Sequence, residues 1–374
     1  MYTRLQGARD TYTSTHPHPA PLDTLLFIPD ISGFTTFVNE TEVEHSRHII
    51  SELLQLIIDA DELGLTVAEV EGDAVFFHSK SDAPAIEDIL HQARRTFVRF
   101  HNHLKLYESR RICDCGACLS ANRLSLKFVA HRGPIGFVEV NGQRKPHGPD
   151  VILAHRLLKN DVPSDEYFLA TDNLLEGEVS APEWGHWEKA ASEYDSYGSV
   201  QYGHLSMAPL LSEVVVPPPL TEYPLMERPV VIEAVIAAPH RRTFELVSNL
   251  NLRHLWNDEA IELLFTEERV NRAGTQHQCI VKGNPIDFET IKADFGGDAL
   301  VLGERVDKVP LVKSFATFWI VRPQGDETHV RVELHYETHG LAPALTGLAF
   351  RLFAKRITKK ALAKVRRAAE HPDS

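Results

Sequence analysis

The sequence predicts an α+β protein of two domains, and three observations carry that reading. At 374 residues the chain exceeds what one ordinary core holds. Strand-like and helix-like periodicities alternate along the first 211 residues. Then residues 212–228, within "SEVVVPPPLTEYPLMERP", place five prolines by Pro229 and exclude regular structure, the mark of a stiff linker. The expected division is a tail over 1–22, a first domain over 23–211, the linker, and a second domain over 229–370.

The elements follow in order. "LFIPDISGF" opens with an apolar strand, Leu25 to Ile28, which Pro29 is expected to end before a helix starts near Ser32-Gly33-Phe34. "SRHIISELLQLIIDADELG" spaces Ile49, Leu53, Leu56 and Ile57 as one helix face. "LTVAEVEGDAVFFHS" reads as two strands about a tight turn at Glu71-Gly72-Asp73. "APAIEDILHQARRTFVRFHNHLKLYESRR" is a long amphipathic helix, and "LSLKFVAHRGPIGFVEVNG" a strand, a turn and a strand. In the second domain "PVVIEAVIAAP" is a strand, and "HRRTFELVSNLNLRHLWN" holds one or two short helices. In "HVRVELHYE", Val330, Val332, Leu334 and Tyr336 alternate with Arg331, Glu333, His335 and Glu337, so one face should be covered and the other wet. A long helix, "LTGLAFRLFAKRITKKALAKVRRAAE", closes the chain.

Bulk composition narrows the function. A net charge of −13 argues against general nucleic-acid binding, which rests on phosphate electrostatics. Four cysteines, three of them clustered, make no disulfide framework and suit a reducing cytoplasm. A polar N-terminus and no apolar run near 20 residues point to a cytoplasmic protein without a membrane span. The last helix carries eight Lys or Arg from Arg351 to Arg367 and no acid among them, which leaves peripheral membrane contact open beside a plain wet basic face or a contact with the acidic first domain.

Asp30 follows one apolar strand, and Asp73 lies 43 residues on at the tip of the predicted hairpin. Two carboxylates at adjacent strand ends can share hard divalent cations. Each also has a plain reading, as a helix cap or as turn chemistry. The pair of motifs, "FIPDISGFTTF" then "VEGDAVFF", resembles the class III nucleotidyl cyclases, the adenylyl and guanylyl cyclases, in a divergent bacterial branch of unknown function. "VAHRGPIGFVEVNG" and "HGPDVILAHRLLKN" agree in order, and the resemblance spans about residues 24–210. It implies a ferredoxin-like catalytic domain working as a head-to-tail homodimer on ATP or GTP, giving a 3′,5′-cyclic nucleotide and pyrophosphate. Asp30, the carbonyl of Ile31 and Asp73 would hold two Mg²⁺ or Mn²⁺. Arg156, from the second protomer, would spread transition-state charge. Glu69 and Lys145 occupy the base-reading positions, with Glu69 leaning towards guanine, and Phe34 lies beside the metal motif at the substrate. Ile152 stands where the family has a ribose-binding asparagine. That departure supports the alternative, an inactive cyclase fold that senses nucleotide or dimerises.

"RRICDCGACLSANR" sets Cys113, Cys115 and Cys118 in a spacing that suits Zn²⁺, a redox-sensitive loop, or simply buried thiols. A closed zinc site needs a fourth ligand, for which His101 and His103 are the candidates. Cys279 reads as core. "VIEAVIAAPHRRTFELVSNLNLRHLWN" resembles the START-like superfamily of polyketide cyclases and lipid-transfer proteins, over about residues 229–370. That implies a helix-grip fold around an apolar cavity for a lipid or other hydrophobic ligand, which would regulate the cyclase. Phe244, Leu246, Trp256, Phe350 and Phe353 would line it, or else fill a solid core.

Overall fold

The structure, a computed structural model, describes residues 22–176, 180–218, 220, 223–257, 260–265, 270–281, 283–309, 312–338 and 343–371. The expected tail lies outside them except for Leu22, which begins the first strand.

Two sheets organise the chain. The first is built from β1 (Leu22–Ser32), β2 (Thr66–Glu71), β3 (Ala74–His78), β4 (Ser125–Val140), β5 (Gln143–His147), β6 (Tyr167–Thr171), β7 (Glu188–Tyr194) and β8 (Gly198–Ser206). Its order is β2-β3-β1-β4-β6-β8-β7, with β5 paired to β4 alone. Helices α1 (Phe34–Glu40) and α2 (Val43–Asp59) connect β1 to β2, and α3 (Ile86–Arg110) connects β3 to β4. The first four strands and these helices therefore make a βαββαβ unit of ferredoxin-like order, antiparallel throughout.

The central strand β1 is buried on both faces. Leu25, Phe27 and Ile31 pack on the α2–α3 side, where Phe27 stacks on Phe128 at 5.7 Å. Leu26 and Ile28 pack on the other side, under α5 (Pro149–Arg156). This double burial explains why Leu25–Ile28 is a continuous apolar run. Pro29 does not end the strand. It stays in register opposite Phe128, and the ladder runs on to Ser32. The turn expected inside "LSLKFVAHRGPIGFVEVNG" is also absent. β4 is one 16-residue strand, and the reversal falls at Asn141-Gly142, both at positive φ (51° and 74°), as a two-residue hairpin requires.

The second sheet runs β10 (Ala260–Leu264), β11 (Gln276–Val281), β12 (Asn284–Ile291), β13 (Leu300–Val309), β14 (Val312–Gln324), β15 (Glu327–Thr338) and then β9 (Val230–Ile236), all antiparallel. α6 (His240–Ser248), a short 3₁₀ turn (Leu250–Leu255) and the long α7 (Pro343–Glu370) pack on one face. Val330, Val332 and Leu334 of β15 are buried there as expected, with Tyr336 partly buried beside them. The opposite face is not wet, because Glu333 and His335 are buried too. The segment leading into β9 covers them: Met226 N–H donates to His335 Nδ1 at 2.9 Å, and Tyr223 packs on Phe318. On α7 the solvent side carries Leu345, Leu348, Leu352 and Phe353 among the basic residues. Among the described residues no helix is long and apolar enough to cross a membrane.

The two sheets are joined by buried contacts. Val270 inserts into the core under α2 and α3. Its N–H donates to Glu52 Oε1 at 3.0 Å, while Glu52 Oε2 accepts from His103 (2.7 Å), Tyr107 (2.8 Å) and Arg272 (2.8 Å). Backbone pairing of Arg111 with Arg272 continues the join.

Candidate active site

Asp30 sits within β1, opposite Ala74 of β3 and Lys127 of β4. Strand alternation turns it to the same side as Leu26 and Ile28. Gly33, at φ 84°, swings the chain out of the strand into α1, and Phe34 packs half-buried against the α2–α3 core. The β2–β3 turn brings Asp73 back, with Gly72 at φ 61° and the Ile31 N–H donating to the Asp73 carbonyl at 3.0 Å. Burial pushes the Asp73 carboxyl above its usual range, and the negative charge of Asp30 pushes it further. The structure thus brings the two carboxylates singled out by sequence spacing next to each other.

Sequence spacing missed their counter-ion. Lys127 Nζ lies 3.2 Å from Asp30 Oδ2, placed there by the cross-strand register. A lone lysine between Leu126 and Phe128 in an apolar strand was the available signal, but only the register says what it faces.

The other expected substrate residues fall into two groups. Glu69 and Lys145 do meet, at 3.2 Å, where a bulge in β2 and the β4–β5 hairpin converge. Both are exposed, so the pair itself contributes little to stability. Arg156, in the last turn of α5, is engaged elsewhere. Its guanidinium donates to the Asp195 carbonyl and lies over the Tyr197 ring at 5.5 Å. Ile152 is exposed on the same helix, with no polar atom to offer a sugar.

What anchors α5 was not legible in the sequence. Buried His131 bridges Thr171 Oγ1 (2.7 Å) and Asp150 Oδ1 (3.0 Å), and Asp150 opens the helix. The Asp150 carboxylate lies over Gly133, where a Cβ would come within 2.4 Å of Oδ1. Gly133→Ala is therefore expected to destabilise the protein by about 1–3 kcal/mol, as overpacking does. Gly136→Ala is the control, because its nearest neighbour would be an ordinary contact at 3.5 Å. Equal denaturation midpoints for the two variants would refute this account.

The three clustered cysteines do meet a histidine, though neither expected one. His45 of α2 has Nδ1 3.2 Å from Cys115 Sγ and 3.4 Å from Cys118 Sγ. His103 is committed to Glu52, and His101 packs between Phe97 and Phe100. Both stand on α3 and make these contacts instead. Cys279 is buried, as expected.

Of the expected cavity residues, Phe244, Leu246, Trp256 and Phe350 are packed in the second core, with Trp256 edge-on to Trp319 at 5.2 Å. Phe353 is 59 % exposed and cannot line an interior. Its place on α7 faces outward, a helical phase that the apolar run Leu352-Phe353 conceals. A cavity of about 420 Å³ lies instead between the end of α3 and the turn before β11, lined by Leu106, Arg110, Leu250, Val270, Arg272 and Gln276 among others.

Residues 50–167 match a family described as "Protein of unknown function (DUF2652)". An uncharacterized protein of Mycobacterium tuberculosis, Rv2561/Rv2562, is 36% identical over 123 residues, 33% of this chain and 57% of that protein. The chain thus spans little more than half the length of this relative. Among solved structures, it is similar to the catalytic core of a rhodopsin-guanylyl cyclase in complex with ATPalphaS (14% identity, TM-score 0.36, 50% of this chain and 97% of that one). It is also similar to the guanylate cyclase domain of RhGC from Catenaria anguillulae in complex with GTP (15%, 0.35, 49% and 95%). A third is the adenylyl cyclase CyaB from P. aeruginosa (17%, 0.35, 49% and 92%). The matched segment 50–167 includes Asp73, the three clustered cysteines and Arg156, and begins after Asp30.

Proposed function

We propose that residues 23–211 form a nucleotidyl cyclase-like domain that binds a purine nucleoside triphosphate and divalent cations, and converts ATP or GTP to a 3′,5′-cyclic nucleotide with release of pyrophosphate. The observation that carries this reading is the Asp30–Asp73 pair: two neighbouring carboxylates at the end of β1 and the β2–β3 turn, with Asp73 pushed up by burial and then by the charge of Asp30. Such a pair has the oxygen donors that hard cations need. Asp30, the Ile31 carbonyl and Asp73 would hold Mg²⁺ or Mn²⁺. When bound, the ions supply charge neutralisation at the triphosphate and acidify the attacking hydroxyl. Lys127 holds the Asp30 charge in their absence. The Glu69–Lys145 pair offers an acceptor and a donor side by side to the base edge. Arg156, from the partner copy of a head-to-tail homodimer, would meet the phosphate charge after leaving Asp195 and Tyr197.

Residues 229–370, beyond the proline-rich segment, are proposed as a START-like domain that takes a hydrophobic ligand. The reading is supported by the order of elements: a strand, short helices, an antiparallel meander returning to that strand, and a long terminal helix. Three features favour a second reading, a nucleotide sensor without turnover. Ile152 offers nothing to the ribose, Lys127 already pairs Asp30, and Arg156 is held by its own chain.

The test is incubation of the purified chain with Mn²⁺ and either ATP or GTP, followed by chromatography for cyclic product. Asp73→Ala is expected to lower turnover at least a hundredfold, roughly the cost of losing a main electrostatic stabiliser. Undiminished product in Asp73→Ala would refute the assignment. Tight nucleotide binding with no product would establish the sensor.

A further inference from the structure

We propose that His45, Cys113, Cys115 and Cys118 hold one Zn²⁺ ion in a closed structural site, and that Glu245 of α6 is its outer partner, fastening the second sheet's helix layer to the first domain. The inference stands apart from the cyclase reading, since none of these residues takes part in it.

The geometry is that of a single ion. A tetrahedral Zn²⁺ with bonds of about 2.3 Å to sulfur and 2.0 Å to nitrogen spaces its ligand atoms roughly 3.5–3.8 Å apart. Here one donor atom from each of the four residues lies within 4.8 Å of every other. The His45 Nδ1–sulfur distances of 3.2 and 3.4 Å are already slightly short of that spacing. The donor set, three thiols and one imidazole, is a closed structural set with no position left for substrate.

The backbone is shaped for the sulfurs. After Cys113 the chain turns so that the Cys115 N–H donates to Cys113 Sγ (3.3 Å) and the Cys118 N–H to Cys115 Sγ (3.4 Å). Amides directed at sulfur favour the thiolate form that a metal requires. Cys115 and Cys118 are buried and Cys113 half-buried, and all three are free thiols.

The outer layer is complete as well. A ligating histidine usually donates its other ring N–H to a carboxylate, which fixes its orientation. His45 Nε2 lies 3.1 Å from Glu245 Oε2, and Asn249 Nδ2 donates to Glu245 Oε1 at 2.7 Å. Arg241, also on α6, reaches Asp114 in the loop itself and Glu42 just before α2. An ion here would therefore order the cysteine loop and hold α2 to α6 at once.

The experiment uses the full chain. Elemental analysis of protein purified without chelator is expected to give close to one zinc per chain. Exchange with Co²⁺ should produce the intense visible bands of a tetrahedral thiolate site. His45→Ala and Cys118→Ser are expected to lose the ion. Glu245→Gln keeps all four ligands and should still bind, but about 10–100-fold more weakly in competition with a chromophoric chelator. Free reaction of Cys113, Cys115 and Cys118 with a thiol reagent in the folded, metal-supplemented chain would overturn the proposal. So would a disulfide, or iron with acid-labile sulfide. Unchanged zinc affinity in Glu245→Gln would remove the link to α6.

Discussion

Glu52→Ala is expected to lower the unfolding free energy by about 3–5 kcal/mol, the cost of stripping one partner from a buried ion pair. Arg272, 12 % exposed and held by Glu52 at 2.8 Å, would be left with its charge over the Tyr107 ring and no carboxylate. The Val270 N–H and His103 would lose their acceptor in the same step. Because these partners come from both sheets, the loss should appear as separation of the two transitions in a denaturant titration. A single unshifted transition would contradict the account. The acid limb of the stability curve offers a second reading. Burial raises the Glu52 carboxyl, but hydrogen bonds from His103 and the charge of Arg272 outweigh it and hold it at about 2. A carboxyl lowered in the folded state stabilises above its unfolded value, roughly 4.3, and that stability goes as pH falls towards 2. Two buried histidines act at slightly higher pH. Burial, with the charge of Arg253, lowers His277 to about 3, and burial with Lys105 lowers His101 to about 4. Stability is therefore expected to decline from about pH 6.5 downward, and Glu52→Gln should flatten only the lowest part of the curve.

Arg253→Met should be comparably damaging within the second sheet, at about 3–5 kcal/mol. Arg253 and Glu304 are 3% and 4% exposed and joined by two hydrogen bonds, with His277 Nε2 3.1 Å from the guanidinium. The Trp256 ring, 4.8 Å from the guanidinium carbon, closes the site. Removing the arginine leaves Glu304 buried without a cation. The double variant Arg253→Met/Glu304→Leu removes both charges and should recover most of the loss, since a buried pair is often replaceable by apolar side chains of similar volume. Thermal denaturation of the single and double variants decides this. A double variant as unstable as Arg253→Met would show that the pair does more than balance its own burial.

The sequence was most informative where chemistry repeats locally. Apolar spacing located α2, α3 and α7, and the Glu71-Gly72-Asp73 turn located the hairpin that carries Asp73 to Asp30. It was least informative where a partner comes from far along the chain. Lys127 meets Asp30 through strand register, His45 meets the cysteines through the packing of α2 on the loop, and Arg272 meets Glu52 from the turn before β11. Local breaker rules also misled. Pro29 suggested an end to β1, and the strand–turn–strand reading put a break inside what is β4. Yet Pro29 is carried within a doubly covered strand, and Gly133 is glycine because the Asp150 carboxylate needs its space. The covered outer face at Glu333 and His335 was equally hidden, since alternation cannot report a chain segment that lies across it.

The Glu52–Arg272 pair has a consequence for synthesis. The two residues stand 220 positions apart. At 5–20 residues per second, the ribosome adds the arginine roughly 10–45 s after the glutamate. His103 and Tyr107 arrive much sooner, 51 and 55 positions on, so the ferredoxin-like core can close early around a carboxylate that still lacks its cation. The gap that Val270 later fills stays open over the same interval. Nascent chains halted before residue 270 should accordingly be sensitive to protease at α2 and α3, and the protection should appear only once the β11 region has left the exit tunnel.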